Sequence, residues 1–154
     1  MTDVSEGFDS LPPLVLPPHP SVYLRDVASL KAYLRDRGVE HTHYPYGVSL
    51  PVDLGEIVDF TVDVQWLLDS VRFIAVTGLD VPPARLPELA HAVDRLDMRR
   101  GFPLWRVLPT LAAVYTVTRN HDDTISSRVF EYAFALLRDA LVRDRPVLKE
   151  LLAR

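Results

Sequence analysis

One segment near the C-terminus constrains this chain more than any other. Val129, Phe130, Ala133, Phe134, Leu136, Leu137, Ala140 and Leu141 recur at helical spacing, but they fill two adjacent stripes instead of one. Phe130, Phe134, Leu137 and Leu141 form the first stripe; Val129, Ala133, Leu136 and Ala140 form the second. A helix lying on a sheet ordinarily hides an apolar stripe of about 100° or somewhat more. The pattern therefore predicts one face on the helix's own sheet and one on a second surface, supplied by another copy of the chain or by a client protein. A central helix buried wholly in its own domain fits the same residues. Under the first arrangement Val129, Phe130, Ala133, Phe134, Leu137 and Leu141 are the expected interface, and Phe134→Asp breaks either the dimer or the fold.

The elements before this helix follow from turn and cap chemistry. Residues 1–20 read as a tail, because Leu11-Pro12-Pro13-Leu14-Val15-Leu16-Pro17-Pro18-His19-Pro20 removes amide donors and forces extended geometry. It is either a surface lead-in or an arm crossing to a partner subunit. Residues 21–154 then form one α+β domain. Tyr23, Val27, Leu30 and Leu34 mark a first helix, with Asp26 or Ser21 as N-cap and Gly38 at its end. Val39 to Tyr44 is strand-like, and a turn follows at Pro45-Tyr46-Gly47. Val48 to Leu54 alternates, with Pro51 demoting it to an edge or bulged strand. Phe60 to Trp66 alternates, a turn falls at Asp69-Ser70, and Val71 to Thr77 is the next strand.

Prolines open the second helix, which carries Leu86, Leu89, Ala90, Val93 and Leu96 on one face and ends at Arg99-Arg100-Gly101. Leu104–Leu108 and Ala112–Thr118 pair as a hairpin about Pro109-Thr110. Ser126 or Ser127 caps the third helix, and Pro146 breaks it before a last amphipathic turn. The order condenses to αβββαββα: a mainly antiparallel sheet, helices on one face, the other partly polar through Thr61, Asp63, Gln65 and Arg72.

Composition narrows the function classes. The chain has 154 residues, a normal size for one domain, and no cysteine, which removes disulfides, thiolate nucleophiles and Cys-ligated zinc. The net charge of −4 disfavours direct nucleic-acid binding by the surface as a whole. Arginine outnumbers lysine 15 to 2, which reads as the codon bias of a GC-rich genome. No apolar run approaches the roughly 20 residues of a membrane span, and Asp3, Glu6 and Asp9 precede any basic residue, the reverse of a secretory signal. The expected location is the cytoplasm, with no membrane partner.

No residue constellation announces chemistry. His41 and His43 share a strand face and with a third ligand would hold zinc, but they lack carboxylates at ligand spacing and read as exposed strand histidines. His121-Asp122-Asp123 reads as a solvated turn. Asp53, Glu56, Asp59 and Asp63 read as a loop rim around Gly55. There is no G-x-S-x-G, no G-x-G-x-x-G and no Walker loop. No catalytic residue, metal ligand or cofactor is assigned. Arg95, Arg99 and Arg100 concentrate positive charge at the end of the second helix, where they answer its dipole or meet an acidic partner segment, with Trp105 beside them.

The element order and several phrases resemble the YbjN family, which shares the fold of type III secretion chaperones. Leu30-Lys31-Ala32-Tyr33-Leu34-Arg35-Asp36-Arg37-Gly38-Val39 is similar to that family's opening helix. Val81-Pro82-Pro83-Ala84-Arg85-Leu86-Pro87-Glu88-Leu89 is similar to its proline-led second helix. Val93-Asp94-Arg95-Leu96-Asp97 stands where members carry an Asn-containing end, and Phe102-Pro103-Leu104 where the hairpin begins. Asp97 replaces the expected Asn, and Leu54 to Val58 is an insertion.

The resemblance covers about residues 25–145. It implies a non-enzymatic homodimer that binds another protein, as an adaptor, a chaperone or a stress-response factor. One branch partners a bacterial single-stranded-DNA-binding repair protein. Two rivals stand beside this reading. One is a metal-dependent or small-molecule enzyme using His41, His43 and nearby carboxylates. The other is a single-strand nucleic-acid binder using Arg99, Arg100, Trp105 and Tyr115.

Overall fold

A computed structural model describes residues 20–52, 60–107 and 110–154. Asp53, Glu56 and Asp59, the Leu108-Pro109 part of the hairpin, and the tail up to His19 lie outside the described residues.

The chain runs β1 (Tyr23–Leu24), α1 (Val27–Asp36), β2 (Thr42–Tyr44), β3 (Gly47–Val52), β4 (Phe60–Trp66) and β5 (Ser70–Val76). A 3₁₀ turn (Pro83–Arg85) leads into α2 (Leu86–Arg100), then β6 (Trp105–Arg106), β7 (Ala112–Thr118), β8 (Ile125–Ser126) and α3 (Ser127–Ala153). Six strands form one sheet in the order β2-β3-β4-β5-β7-β6, every pair antiparallel. β1 and β8 form a separate two-stranded ribbon. The fold is α+β, as expected, but four strands separate α1 from α2 where the string αβββαββα has three. The ribbon adds two more, and Tyr23 belongs to it and not to the first helix.

The register explains the two faces of the sheet. Leu50 sits opposite Val62, Val64 opposite Phe73, and Ala75 opposite Ala113, so these buried side chains share one face. Phe130 of α3 completes that layer. Its ring lies 5.4 Å from Phe73 and meets Tyr33 of α1 edge-on at 6.4 Å, which joins sheet and both helices at one point. Full burial of a side chain of this size stabilises by about 2–3 kcal/mol. The opposite face carries Ser49, Thr61, Asp63, Gln65, Arg72 and Thr116, exposed or half-buried, in line with the alternation.

Local chemistry sets the ends. Asp26 caps α1, accepting from the Ser29 amide at 2.8 Å, while the Ser29 hydroxyl accepts the Asp26 amide in return. Ser126 caps α3 through the Arg128 amide at 3.1 Å. Gly101, at φ +91°, closes α2 in the left-handed region. At Gly47 a Cβ would fall 1.8 Å from the Val64 carbonyl oxygen, so only glycine lets β3 approach β4 there. β2 pairs with β3 only from Gly47 to Ser49, which leaves Pro51 on an outer edge that β2 does not reach.

Two boundaries differ from expectation. β6 is two residues long, Trp105 and Arg106 opposite Ala113 and Ala112, with the Val114 amide also donating to the Leu104 carbonyl at 2.8 Å. Pro146 does not break α3, which continues to Ala153. Pro146 removes one amide donor, to the carbonyl of Val142 four residues back. Val142 and Pro146 are both exposed, so that carbonyl lies on the solvent side, while Asp144 and Leu148 stay buried and hold both halves of the helix to the core.

Candidate functional site

The expected interface on α3 divides cleanly. Phe130, Ala133, Phe134, Leu137 and Leu141 are at most 2 % exposed within the single chain. They belong to the protomer's own core, which corrects their assignment to a dimer or partner surface. Val129 alone of the six stays outside, at 41 % exposure. The sheet, α1 and α2 together cover more of α3 than one sheet face would, so Ala133 and Ala140 of the second stripe are buried within the chain, while Val129 is exposed and Leu136 half-buried.

A different stripe remains open. Val129, Tyr132, Leu136, Arg143 and Val147 follow at intervals of three, four, seven and four along α3, all exposed or half-buried. Opposite them, the end of α2 and the turn after it present Leu96, Arg99, Arg100 and Phe102. The two walls, from Tyr132 to Val147 on the α3 side, border a groove of about 540 Å³ whose remaining lining is Asp139 and Asp144; Val129 lies beyond it. Aromatic and aliphatic side chains thus alternate with arginines and aspartates.

The floor of the groove is an ion network. Arg100 donates to Asp144 at 2.5 Å and to Asp97 at 3.4 Å, and the Trp105 indole donates to the same Asp144 oxygen at 2.9 Å. Asp97 also accepts the amides of Leu104 at 3.1 Å and Trp105 at 3.3 Å, so it fixes the chain as it turns from α2 into β6. The position where the resemblance expects Asn is filled by a carboxylate making capping bonds. Burial pushes the Asp97 carboxyl up from its usual range, against those amides and Arg100. Burial likewise raises Asp139, against its ion pair with Arg143 at 3.1 Å.

This geometry reassigns the basic cluster. Arg95 and Arg99 are exposed on α2. Arg100 is committed to Asp144, and Trp105, 6 % exposed, is inside. Tyr115 packs against Phe102 with ring centres 5.6 Å apart and the rings tilted by 60°. Trp105 therefore offers no exposed face for stacking on a base, and Arg100 and Trp105 serve the floor of the groove instead of meeting a partner directly. Sequence reasoning missed Asp144. The signal was present: Asp144 follows Leu141 by three and precedes Leu148 by four, an acid on the buried stripe of α3.

The other candidates stay apart. His41 donates through Nδ1 to the Val39 carbonyl at 2.9 Å, and His43 is exposed. Among the described residues no three of His, Cys, Asp or Glu are grouped to hold a metal ion. Asp122 accepts the Thr124 hydroxyl at 2.6 Å, which holds its carboxyl below the usual range, in a polar turn beside His121. Asp63 accepts from Ser49 at 2.5 Å on the open sheet face. Among the described residues no helix is long and apolar enough to cross a membrane.

The fold and the groove define an antiparallel α+β domain with an interhelical cleft. No protein-family model matches the chain, and no curated protein and no solved structure matches it.

Proposed function

We propose that this protein is a non-enzymatic adaptor whose groove between α2 and α3 takes an apolar-anchored, acidic segment of another protein. The observation that carries it is the pairing of open apolar side chains (Leu96, Phe102, Tyr132, Leu136, Val147) with exposed Arg99 and Arg143 in one cleft. Apolar anchors supply affinity and the arginines select charge. The resemblance to the YbjN family and to type III secretion chaperones supports a protein client, and its repair-associated branch makes a single-stranded-DNA-binding repair protein the first client to try. Homodimerisation in the cytoplasm is the remaining part of the proposal; it rests on the resemblance, since the core residues no longer speak for it.

Cross-linked purification of the full chain from its native cell, beside a Leu136→Asp variant, tests the client. A partner recovered by the parent and lost by the variant supports the reading; identical recoveries overturn it. Light scattering tests the dimer: twice the 17.4 kDa chain mass is expected, and 17.4 kDa at micromolar concentration refutes it.

A further inference from the structure

We infer that the occupant of the groove when no client is bound is a second copy of this chain, whose α3 lies antiparallel on this α3 about a two-fold axis at the level of Leu141. The inference rests on reading the groove as a protein-binding surface, and it makes the second copy and the client rivals for that surface. Tyr132, Leu136, Asp139, Arg143, Pro146 and Glu150 run along the outer side of α3, each exposed or half-buried. Their intervals are four, three, four, three and four, the spacing of a helix–helix seam. The order of intervals is the same from either end, so the stripe matches its own reverse, as a two-fold contact between identical surfaces requires. Because α3 runs unbroken through Pro146, the seam is continuous over about 27 Å at 1.5 Å per helical residue.

Chemistry selects this register. With the axis at Leu141, Leu136 faces the partner's Pro146 and borders the partner's Val147, so apolar surface meets apolar surface. Asp139 faces the partner's Arg143 and Arg143 faces the partner's Asp139, so opposite charges meet twice. Within one chain Asp139 and Arg143 already pair at 3.1 Å, yet the Arg143 side chain stays 61 % exposed and is open to a second carboxylate. Tyr132 faces the partner's Glu150, and no position sets like charges face to face. Sliding the seam by one heptad toward the N-terminus sets Leu136 against the partner's Asp139. Sliding it by one heptad the other way sets Asp139 against the partner's Glu150.

The groove then receives a helix, one of the recurrent ways in which an apolar cleft is filled. Leu96 and Phe102 on the α2 side give the partner's helix a second apolar wall, beside Arg99. What that helix brings is Leu136, Val147, Asp139 and Glu150, the apolar-and-acidic character assigned to the client. A client must therefore part the two copies to bind.

Charge exchange between two full-length chains tests the register. Asp139→Arg and Arg143→Asp each set like charges face to face and are expected to raise the dimer dissociation constant about tenfold or more, read as a fall in light-scattering mass toward 17.4 kDa. An equal mixture of the two variants restores twice that mass, because each altered charge then meets its opposite; a pair confined to one chain gains nothing from mixing. The chain has no cysteine, which allows a second measurement independent of those charges. Leu136→Cys mixed with Val147→Cys is joined into a covalent dimer by a short bismaleimide. Leu136→Cys alone is not, since its two copies lie about 15 Å apart along the seam. A parent of 17.4 kDa, single charge variants that keep the parental mass, or a mixture that stays monomeric each overturns the inference, as does a cysteine pair that does not join. Should either charge variant fail to fold by circular dichroism, the cysteine pair decides alone. A monomeric parent with a client lost on Leu136→Asp sinks the seam and leaves the client reading intact. A joined cysteine pair with client recovery indifferent to Leu136→Asp supports the seam and removes the client reading.

Discussion

Trp105 donates its indole N–H to Asp144 at 2.9 Å, and Arg100 reaches the same carboxylate oxygen at 2.5 Å. One buried acid therefore ties β6, α2 and α3 together. A single acceptor shared by a neutral and a cationic donor is strong while both are present and costly when the acceptor goes, because both donors are then stranded. The network holds the two walls of the groove at a fixed separation.

Asp144→Ala is expected to lower unfolding stability by about 3–5 kcal/mol, the cost of breaking a buried pair from one side. Trp105→Phe removes only one hydrogen bond and costs about 1–2 kcal/mol. Arg100→Met with Asp144→Leu leaves no stranded charge and is milder than Asp144→Ala alone. Urea denaturation of the three variants checks the order; equal losses for all three would show that the network carries no coupling.

Phe134→Asp and Leu136→Asp, two residues apart, separate core from surface. Phe134 is 2 % exposed, so an aspartate there unfolds the chain, whereas Leu136 is half-buried on the groove wall and its variant stays folded. Phe130→Ala should cost about 3–5 kcal/mol, while Val129→Ala stays within about 0.5 kcal/mol. Circular dichroism and thermal melting read both contrasts. A folded Phe134→Asp chain would mean that this stripe does not face the core.

Gly47→Ala places a methyl group 1.8 Å from the Val64 carbonyl oxygen, so β3 and β4 must separate. The expected loss is about 3 kcal/mol or more. A variant with parental stability would be incompatible with this strand approach, and amide exchange along β3 would locate any separation.

Two tyrosines should resist alkaline ionisation. Burial raises Tyr33 to about 12, helped by its hydrogen bond to Glu131, and raises Tyr44 to about 12, helped by the Asp63 charge. Both folded values exceed the unfolded one of about 10. The folded chain keeps these protons longer, so their stabilisation is full below about pH 10 and is lost as pH rises toward 12. Absorbance titration at alkaline pH should show late ionisation of Tyr33 and Tyr44, and Tyr33→Phe should remove one of these two late steps. Complete ionisation of Tyr33 and Tyr44 below pH 11 would contradict the burial of both.

Much of the fold was readable because it rests on neighbours in sequence. The Asp26 and Ser126 caps, the Gly38 and Gly101 stops, the proline-led second helix and the alternation of β4 and β5 depend on side chains within a few residues of each other. The two-residue ribbon of β1 and β8 escaped, because its partners lie about a hundred residues apart and neither strand is long enough to alternate. Arg100 and Trp105 were singled out for a partner and proved to serve Asp144, a pairing across 44 and 39 residues.

Periodicity alone determined that the C-terminal helix would be apolar on two stripes, and turn chemistry determined that the sheet would be antiparallel. Only the assembled layers decided which stripe went inside. Burial depends on how many surfaces converge on a helix, and here the sheet, α1 and α2 all reach α3, so Phe130 and Phe134 vanish into the protomer while Leu136 and Val147 are left at a groove. The passage of α3 through Pro146 was settled the same way. A missing hydrogen bond on the solvent side costs less than withdrawing Leu148 from the core, and no local rule weighs those two terms against each other.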